Sequence, residues 1–450
     1  MSSPRSQLHL NLFLAPLGHH EAAWRHPGSE PRRLTEFALY QEIVRKAEAA
    51  KLDSIFLADR VAASPESLRH GAVGGLEPLT LLSALSVVTS RIGLIGTVST
   101  SFNEPFNLAR RLASLDHLSG GRAGWNIITS GTDGEARNFG LHEIPGHAVR
   151  YERAREFLEV AVKLWDSWED DAVLADQAAG LFADTSKVHP VRHEGTYFRV
   201  DGPLNLQRSP QGRPLLVQAG SSEDGRSFAS EYAEAIFTAQ QTLADAQAFY
   251  ADVKARAARF GRDPQTVKIL PGICPVIGDT EEEAREKEAR LHELSNPQHS
   301  LLQLSNRLGI DLTGYPLDAP FPELPEPEAV RGHQSRARLI AELARSEGLT
   351  LRGLLERLAG GRGHRTFTGT PVQVADQLEA WFRGGAADGF NVMPQLTHEG
   401  LPDFLDKVVP ELQRRGLFRT EYSGSTLREH YRLPRPASLY AAKPAPSLPG

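Results

Sequence analysis

Gly220, Ser221 and Ser222 form a polar turn between an apolar run and a helical pattern that begins at Glu223. The first N–H groups of a helix have no partner inside the helix and lie at its positive end, so this turn could bind a phosphate, with the serine hydroxyls as further donors. Serine followed by Glu223 and Asp224 also suits an ordinary capped helix. The turn alone leaves both interpretations open.

His147 and Tyr151 offer a second set of donors in the segment GHAVRYERAREF. They lie four residues apart and share one face at the start of a predicted helix, so both could reach the same phosphate. Taken singly, each is more often a packed or surface residue. Agreement with the serine pair is what favours a role in binding.

Asn126, Thr129 and Ser130 interrupt an apolar run in the stretch GWNIITSGTDGEARNFG, residues 124–140. A strand that serves only a core keeps its Val/Ile/Leu character, so these polar residues indicate a strand end that meets a ligand. Other apolar runs end in comparable groups, namely Phe56 and Asp59, Thr97 and Ser99, and Thr238 and Gln240. Hydrogen-bonding groups dominate, and no GxSxG nucleophile motif accompanies them.

Histidines near the start of the chain raise the question of a metal. His19, His20 and His26, together with Asp59, could supply nitrogen and oxygen ligands. Adjacent histidines project in different directions, however, and no HxH pair follows the first predicted strand. No Lys or Glu–His combination at later strand ends completes a site. The sequence therefore predicts no metal site, and metal-dependent hydrolysis stays an alternative that rests on these histidines alone.

Eight apolar runs of strand length alternate with amphipathic helical patterns. The predicted strands are Leu8–Leu14, Ser54–Asp59, Ile92–Ser99, Ala123–Thr129, Pro214–Ala219, Glu234–Ala239, Val267–Ile277 and Gly389–Gln395. Right-handed crossovers leave an open doubly wound sheet or a closed barrel, and a count of eight favours closure. We predict an α/β fold, a (β/α)8 TIM barrel with insertions at its C-terminal mouth, where barrel active sites lie.

The domain prediction is a single barrel over residues 1–421 and a Pro-rich C-terminal tail over 422–450 that wraps the surface or frays. Insertions are predicted at about 170–212, with a small hairpin, and at 278–368. The second is too long for a plain connection, which is typical of a lid.

Composition narrows the possible partners. The 450 residues are 40% hydrophobic and carry a formal net charge of -6, so no basic field would attract nucleic acid. A single cysteine, Cys274, excludes an internal disulfide or a cysteine-based metal site. No run approaches the roughly 20 apolar residues that span a bilayer, and we expect a cytoplasmic protein.

Seven segments together carry a resemblance to a known family. They are HEAAWRHP, SIFLADR, TVSTSFNEPFNLARRLASLDHLSGGRAGWNIITS, ARNFG, the helix of Tyr151, VQAGSSEDG and DGFNVMP. Over most of residues 8–415 the chain resembles the bacterial luciferase-like flavin-dependent monooxygenases. It is most similar to the group that contains nitrilotriacetate monooxygenase, dibenzothiophene-sulfone monooxygenase and pristinamycin IIA synthase.

The resemblance implies a two-component enzyme that binds FMN as FMNH2 and lets it react with O2. The resulting C4a-peroxyflavin then oxygenates a small organic substrate, and a separate NAD(P)H-dependent flavin reductase supplies the FMNH2. A homodimer or homotetramer is expected. Alternatives are an F420-dependent oxidoreductase on the same barrel and a non-catalytic FMN-binding flavoprotein.

Site residues also follow from the resemblance. Ser221, Ser222, Tyr151 and His147 would bind the FMN phosphate, whereas Asp59, Thr97 and Asn126 would meet the ribityl chain or the isoalloxazine. His20 is expected to transfer a proton or stabilise the peroxide, because a neutral imidazole can do either. Whether His19 or His20 faces the flavin stays open.

Overall fold

The structure is a computed structural model that describes residues 7–71, 75–220, 222–308, 310–322, 334–361 and 363–441. The strands are β1 (His9–Phe13), β2 (Ser54–Leu57), β3 (Gly93–Ser99), β4 (Ala123–Ile128), β5 (Val173–Asp176), β6 (Leu181–Ala183), β7 (His193–Glu194), β8 (Arg199–Val200), β9 (Leu215–Gln218), β10 (Ala235–Thr238), β11 (Lys268–Ile277), β12 (Arg365–Gly369) and β13 (Gly389–Val392). The first eight helices are α1 (Phe37–Ala49), α2 (Pro65–His70), α3 (Pro78–Ser86), α4 (Pro105–Leu118), α5 (Asp133–Asn138), α6 (His147–Trp165), α7 (Glu223–Tyr232) and α8 (Leu243–Arg259). The others are α9 (Glu281–Glu293), α10 (Pro297–Leu308), α11 (Gln334–Ser346), α12 (Leu351–Gly361), α13 (Pro371–Arg383), α14 (Thr397–Asp403), α15 (Val409–Arg414) and α16 (Leu427–His430).

Eight parallel strands close into a barrel in the order β1, β2, β3, β4, β9, β10, β11 and β13, and β13 pairs with β1. Helices connect successive strands on the outside, as the alternating pattern predicted. The (β/α)8 prediction is confirmed, and the eight predicted runs are the eight barrel strands. None of the described helices is long and apolar enough to cross a lipid bilayer.

An aromatic layer fills the barrel near the carboxyl ends of its strands. Phe13 packs edge-on against Phe56 and Phe237, with ring centroids 5.0 and 5.4 Å apart. His364 stacks on the outer side of this group, 5.0 Å from the Phe237 ring. The layer separates the interior of the barrel from its mouth, so any site at the strand ends has an apolar floor.

A ninth parallel strand lies outside the barrel. The first half of β11 pairs with β10, whereas its second half pairs with β12, from Ile273 opposite Arg365 to Ile277 opposite Gly369. We predicted no strand in the Gly/Arg-rich end of the second insertion. That insertion therefore returns to the barrel through a strand pairing rather than through a loop.

The two predicted insertions have different structures. The first contains two short antiparallel pairs, β5 with β6 and β7 with β8. The second consists of helices α9 to α12 before it reaches β12, and α10 to α12 enclose a cluster of leucines of their own. This cluster is distinct from the main core, so the insertion packs as a small helical unit.

The segment that follows Tyr422 closes the amino-terminal end of the barrel up to Leu433. Leu427, Tyr431 and Leu433 are buried against the barrel interior. A β-carbon at Gly93 would lie 2.3 Å from Leu427 Cδ1. The glycine at the start of β3 thus makes room for the segment from Tyr422 to Leu433, which we call the plug. Residues 442–450 lie outside the described part of the chain.

Polar contacts hold the plug in place. The Tyr431 hydroxyl donates to Asn11 Oδ1 at 2.8 Å, and the buried Arg428 guanidinium donates twice to the Glu234 carboxylate, at 2.5 and 2.9 Å. Because an isolated charge in this place would be costly, the paired contacts fix the segment in one position.

A second buried charge lies beside the plug. The Asp53 carboxylate contacts the Arg419 guanidinium, and it lies 2.9 Å from His9 Nδ1. Burial alone would raise the pKa of Asp53, but the charge of Arg419 and the contact with His9 lower it to about 2. The carboxylate therefore stays ionised inside the protein.

Candidate functional site

Three of the predicted phosphate ligands meet at the first turn of α7. Ser222 is the N-cap residue, and its Oγ accepts from Gly225 N at 3.1 Å. Tyr151 is buried and lies beside it. Burial raises the pKa of Tyr151, whereas its hydrogen bond with the Ser222 side chain lowers it. The His147 ring packs on Tyr151 at 4.9 Å, and Ser221 lies outside the described residues.

Two glycines leave the space in which these donors meet. A β-carbon at Gly220 would lie 2.9 Å from the Tyr151 hydroxyl, and one at Gly225 would lie 3.0 Å from both that hydroxyl and Ser222 Oγ. The loop backbone and the tyrosine can therefore approach each other only without a side chain at these positions. Two hydroxyl groups thus meet at a helix N-terminus, a place that we call the α7 pocket, and hydroxyl and helix N–H donors together suit an anion.

The two acidic residues in this helix turn are both paired with bases. Asp224 Oδ2 lies 2.8 Å from His147 Nδ1, and the Glu223 carboxylate accepts hydrogen bonds from Arg226 and Arg256. The hydrogen bond from Arg256 lowers the pKa of Glu223. Because both carboxylates are engaged, they oppose an anion at the helix N-terminus less than two unpaired carboxylates would.

Thr97 and Asn126 lie opposite each other on β3 and β4, and both are buried. Asn126 Nδ2 donates to Thr97 Oγ1 at 2.9 Å. Among the residues that the structure describes, Asn126 Oδ1 has no hydrogen-bond partner. A buried acceptor without a donor is costly, so this oxygen is suited to a donor on a ligand.

Asp59 follows β2 at the same end of the barrel and is half-buried. Burial raises the pKa of its carboxyl, and the backbone N–H of Arg60 opposes that change. The charges of Glu77 and Glu135 raise it further. Three acids thus surround this part of the mouth, and the protonated form of Asp59 is stabilised relative to a solvent-exposed aspartate.

His19 and His20 point to different surroundings. His19 Nε2 lies 2.8 Å from the Phe13 carbonyl oxygen, and its ring packs on Phe13 in the aromatic layer. His20 is also buried, and its Nδ1 accepts from Ala22 N at 3.1 Å. His20 lines a cavity of about 110 Å³ between the loop after β1 and the helical insertion. Arg60 also lines this cavity, which places it next to the end of β2.

Arg150, which we did not predict, lies beside the candidate site. It precedes Tyr151 on α6, is 7% exposed, and its Nη1 donates to the Ser130 carbonyl oxygen. Within the described ranges it makes no ion pair, and burial lowers its pKa. The only signal in the sequence was its position between the two predicted donors on one helix.

Residues 17–388 match the family model of the luciferase-like monooxygenases. The chain belongs to this family. It is 49% identical to N-acetyl-S-(2-succino)cysteine monooxygenase of Bacillus subtilis (strain 168), over 98% of this chain and 100% of that one. It is 48% identical to nitrilotriacetate monooxygenase component A of Aminobacter aminovorans, over 98% of this chain and 99% of the relative.

A solved structure agrees with this membership. The luciferase-like monooxygenase described here superposes on a riboflavin lyase (RcaE), solved with modified FMN and riboflavin, with a TM-score of 0.85. The two are 32% identical, and the alignment covers 94% of this chain and 95% of that one. The family predicted from sequence motifs is confirmed, and the protein is an enzyme of the monooxygenase type.

Proposed function

We propose that this luciferase-like monooxygenase uses FMNH2 and O2 to oxygenate a small organic substrate, and that a separate NAD(P)H-dependent flavin reductase supplies the FMNH2. The observation that carries the proposal is the pocket at the first turn of α7. Tyr151, Ser222 and the two glycines offer a phosphate hydroxyl donors, helix N–H groups and a space that a β-carbon would fill.

The rest of an FMN molecule would extend from this pocket along the strand ends. Asn126 Oδ1 would accept from an N–H or hydroxyl donor of the flavin, and its bond to Thr97 holds the amide in that orientation. Asp59 would meet the ribityl chain or the ring from the end of β2. The apolar floor beneath these groups would exclude water from the ring.

Bound FMNH2 supplies the two electrons with which one atom of O2 enters the substrate and the other leaves as water. The chain contributes orientation, desolvation and proton transfer. Because His20 Nδ1 accepts a hydrogen bond from Ala22 N, the neutral imidazole carries its proton on Nε2. We assign to His20 Nε2 the proton that is donated and recovered during the reaction.

The relative from Aminobacter aminovorans is named as component A, which supports a reductase as a separate partner here. We further propose that the enzyme is cytoplasmic and forms a homodimer or homotetramer. No metal is required by this assignment. Size-exclusion chromatography with light scattering measures the oligomeric state.

Rapid mixing of the FMNH2-loaded protein with oxygenated buffer tests the proposed function. Bound FMNH2 should return to oxidised FMN more slowly than free FMNH2, because the pocket shields the ring from water. With 18O2, one labelled atom should appear in the product of a compatible substrate. Reoxidation at the rate of free FMNH2, or reduction of F420 instead, would remove the proposal.

A further inference from the structure

We infer that the cavity beside His20 takes an organic acid, whose carboxylate pairs with Arg60 while its apolar part lies against helices α10 and α12. The inference rests on the proposed function, since it treats this cavity as the substrate pocket. It adds the chemical class of the substrate and the residue that selects it.

Arg60 is the permanent positive charge among the residues that line the cavity. In the part of the chain that the structure describes, no ion pair or hydrogen bond engages its guanidinium group, and its side chain is exposed. A planar guanidinium binds a carboxylate through two parallel hydrogen bonds, which makes arginine the usual partner for this group. Arg60 follows Asp59 directly, so a carboxylate on Arg60 would lie at the rim of the flavin region.

The acid in the same cavity does not neutralise Arg60. Glu21 accepts a hydrogen bond from the Ser300 hydroxyl across the cavity, so its carboxylate is directed to α10. The preceding residue of that helix, His299, also faces the cavity. Burial lowers the pKa of His299, and its Nδ1 has no partner within the described residues. His299 therefore serves as a neutral hydrogen-bonding group rather than as a second cation.

Another part of the cavity lining is aliphatic. Leu304 of α10 and Leu355 and Leu358 of α12 line the cavity, and all three are buried members of the leucine cluster of the insertion. One fixed cation together with an aliphatic lining suits a molecule with a carboxylate at one end and methylene or thioether groups at the other. Neutral, wholly apolar compounds would offer the guanidinium no hydrogen-bond partner.

A second cavity lies next to the first. This cavity, of about 680 Å³, shares His299 with the first and is lined by Arg69 and His70 of α2. The side chains of His299, Arg69 and His70 are basic or neutral. A second acidic group of a longer substrate would therefore meet no carboxylate among these three side chains. The pair of cavities thus accommodates acids with more than one carboxylate.

Calorimetric titration of the FMN-saturated protein tests the inference with two matched pairs of probes. The acids are nitrilotriacetate and N-acetyl-S-(carboxymethyl)cysteine, and each is compared with its methyl ester. At least one acid should bind, and its ester should bind about tenfold to a hundredfold more weakly. Equal binding of acid and ester, or binding of neither acid at millimolar concentration, would overturn the inference.

Two variants of Arg60 and one control variant locate the effect. Arg60→Gln should weaken binding of the acid by about tenfold or more and leave the ester unchanged, whereas Arg60→Lys should restore part of the affinity. Arg32→Gln is the matched control, because Arg32 is an exposed arginine in the connection between β1 and α1 and does not line the cavity. If Arg60→Gln binds the acid as Arg32→Gln does, Arg60 is not the carboxylate ligand.

The same variants separate this inference from the proposed function. Reoxidation of FMNH2 by O2 without any substrate should be equal in the wild type and in Arg32→Gln, because Arg32 lies outside the cavity. If the protein changes the reoxidation rate relative to free FMNH2 but does not bind acids more tightly than their esters, only the inference is overturned. Reoxidation that the protein does not alter would overturn the proposed function on which it rests.

Discussion

The side chain of Asn126 donates to Thr97 across two neighbouring barrel strands, with Nδ2 and Oγ1 2.9 Å apart. This bond fixes the amide so that Oδ1, the atom without a partner among the described residues, keeps one direction. An amide that rotated freely would present a donor and an acceptor in turn. The pair therefore determines which hydrogen-bonding group the barrel presents at this point.

Replacement of Asn126 by leucine should weaken FMN binding by about 1–3 kcal/mol, because the ligand loses an acceptor in a buried place. Quenching of flavin fluorescence on titration measures the affinity. Asn391→Ala is the matched control, since it removes a buried amide that bonds Asn11 at 2.9 Å on the far side of the barrel. The control should lose stability and keep its FMN affinity, and equal affinities of both variants would contradict the placement of the flavin.

Replacement of Ser222 by alanine should have two effects. Loss of the cap of α7 should cost about 1 kcal/mol of folding stability, and loss of a phosphate donor should weaken FMN binding by about 1–3 kcal/mol. Thr242→Ala removes an equivalent cap from α8, where Oγ1 accepts from Asp245 N at 3.1 Å. Denaturant unfolding should show a similar loss of folding stability in both variants. FMN titration should show weaker binding for Ser222→Ala alone.

Gly220→Ala tests the pocket itself. The new β-carbon would lie 2.4 Å from Gln218 Nε2 and 2.9 Å from the Tyr151 hydroxyl, so one of these groups must move. FMN affinity should fall about tenfold or more. The loss of folding stability should be smaller, because the substituted residue lies at the mouth of the barrel. Gly314→Ala, where a β-carbon meets nothing within 4 Å, should leave both quantities unchanged. Unaltered FMN affinity in Gly220→Ala would place the phosphate elsewhere.

Acid should destabilise the plugged end of the barrel through Asp53. Its pKa is about 2 in the folded protein against 3.8 for the free side chain, so its contribution is fully present above about pH 4. That contribution is lost as the pH falls from about 4 to about 2. Urea unfolding over this range should show a flatter pH profile for Asp53→Asn than for the wild type, and identical slopes would contradict the assignment.

The sequence was sufficient for the barrel because each of its strands is a run of apolar residues flanked by helical patterns. It was insufficient for β12, whose five residues RTFTG follow a Gly/Arg-rich stretch and pair only because β11 continues past the barrel. Such a strand depends on a neighbour 92 residues earlier in the chain rather than on its own composition.

The position of the plug could not be predicted from the local sequence either. Proline and charged residues around Leu427 and Tyr431 are typical of a surface tail, and nothing local shows that Arg428 meets Glu234, 194 residues away. In the site, by contrast, residue types at strand ends predicted Thr97 and Asn126, since the carboxyl ends of barrel strands share one rim. Arg150 escaped prediction because its partner is a backbone carbonyl, which leaves no mark in the sequence.

Closure of the barrel has a consequence for the nascent chain during synthesis. Because β1 pairs with β13, β1 waits during synthesis for residues around Val392 before its second edge is covered, and the plug around Tyr431 follows later still. Until then a nascent chain exposes two unpaired parallel edges and an open apolar interior. Early encounters between growing chains on one messenger RNA are therefore a hazard for this enzyme, and its yield in cells should depend on chaperones that cover those edges during synthesis.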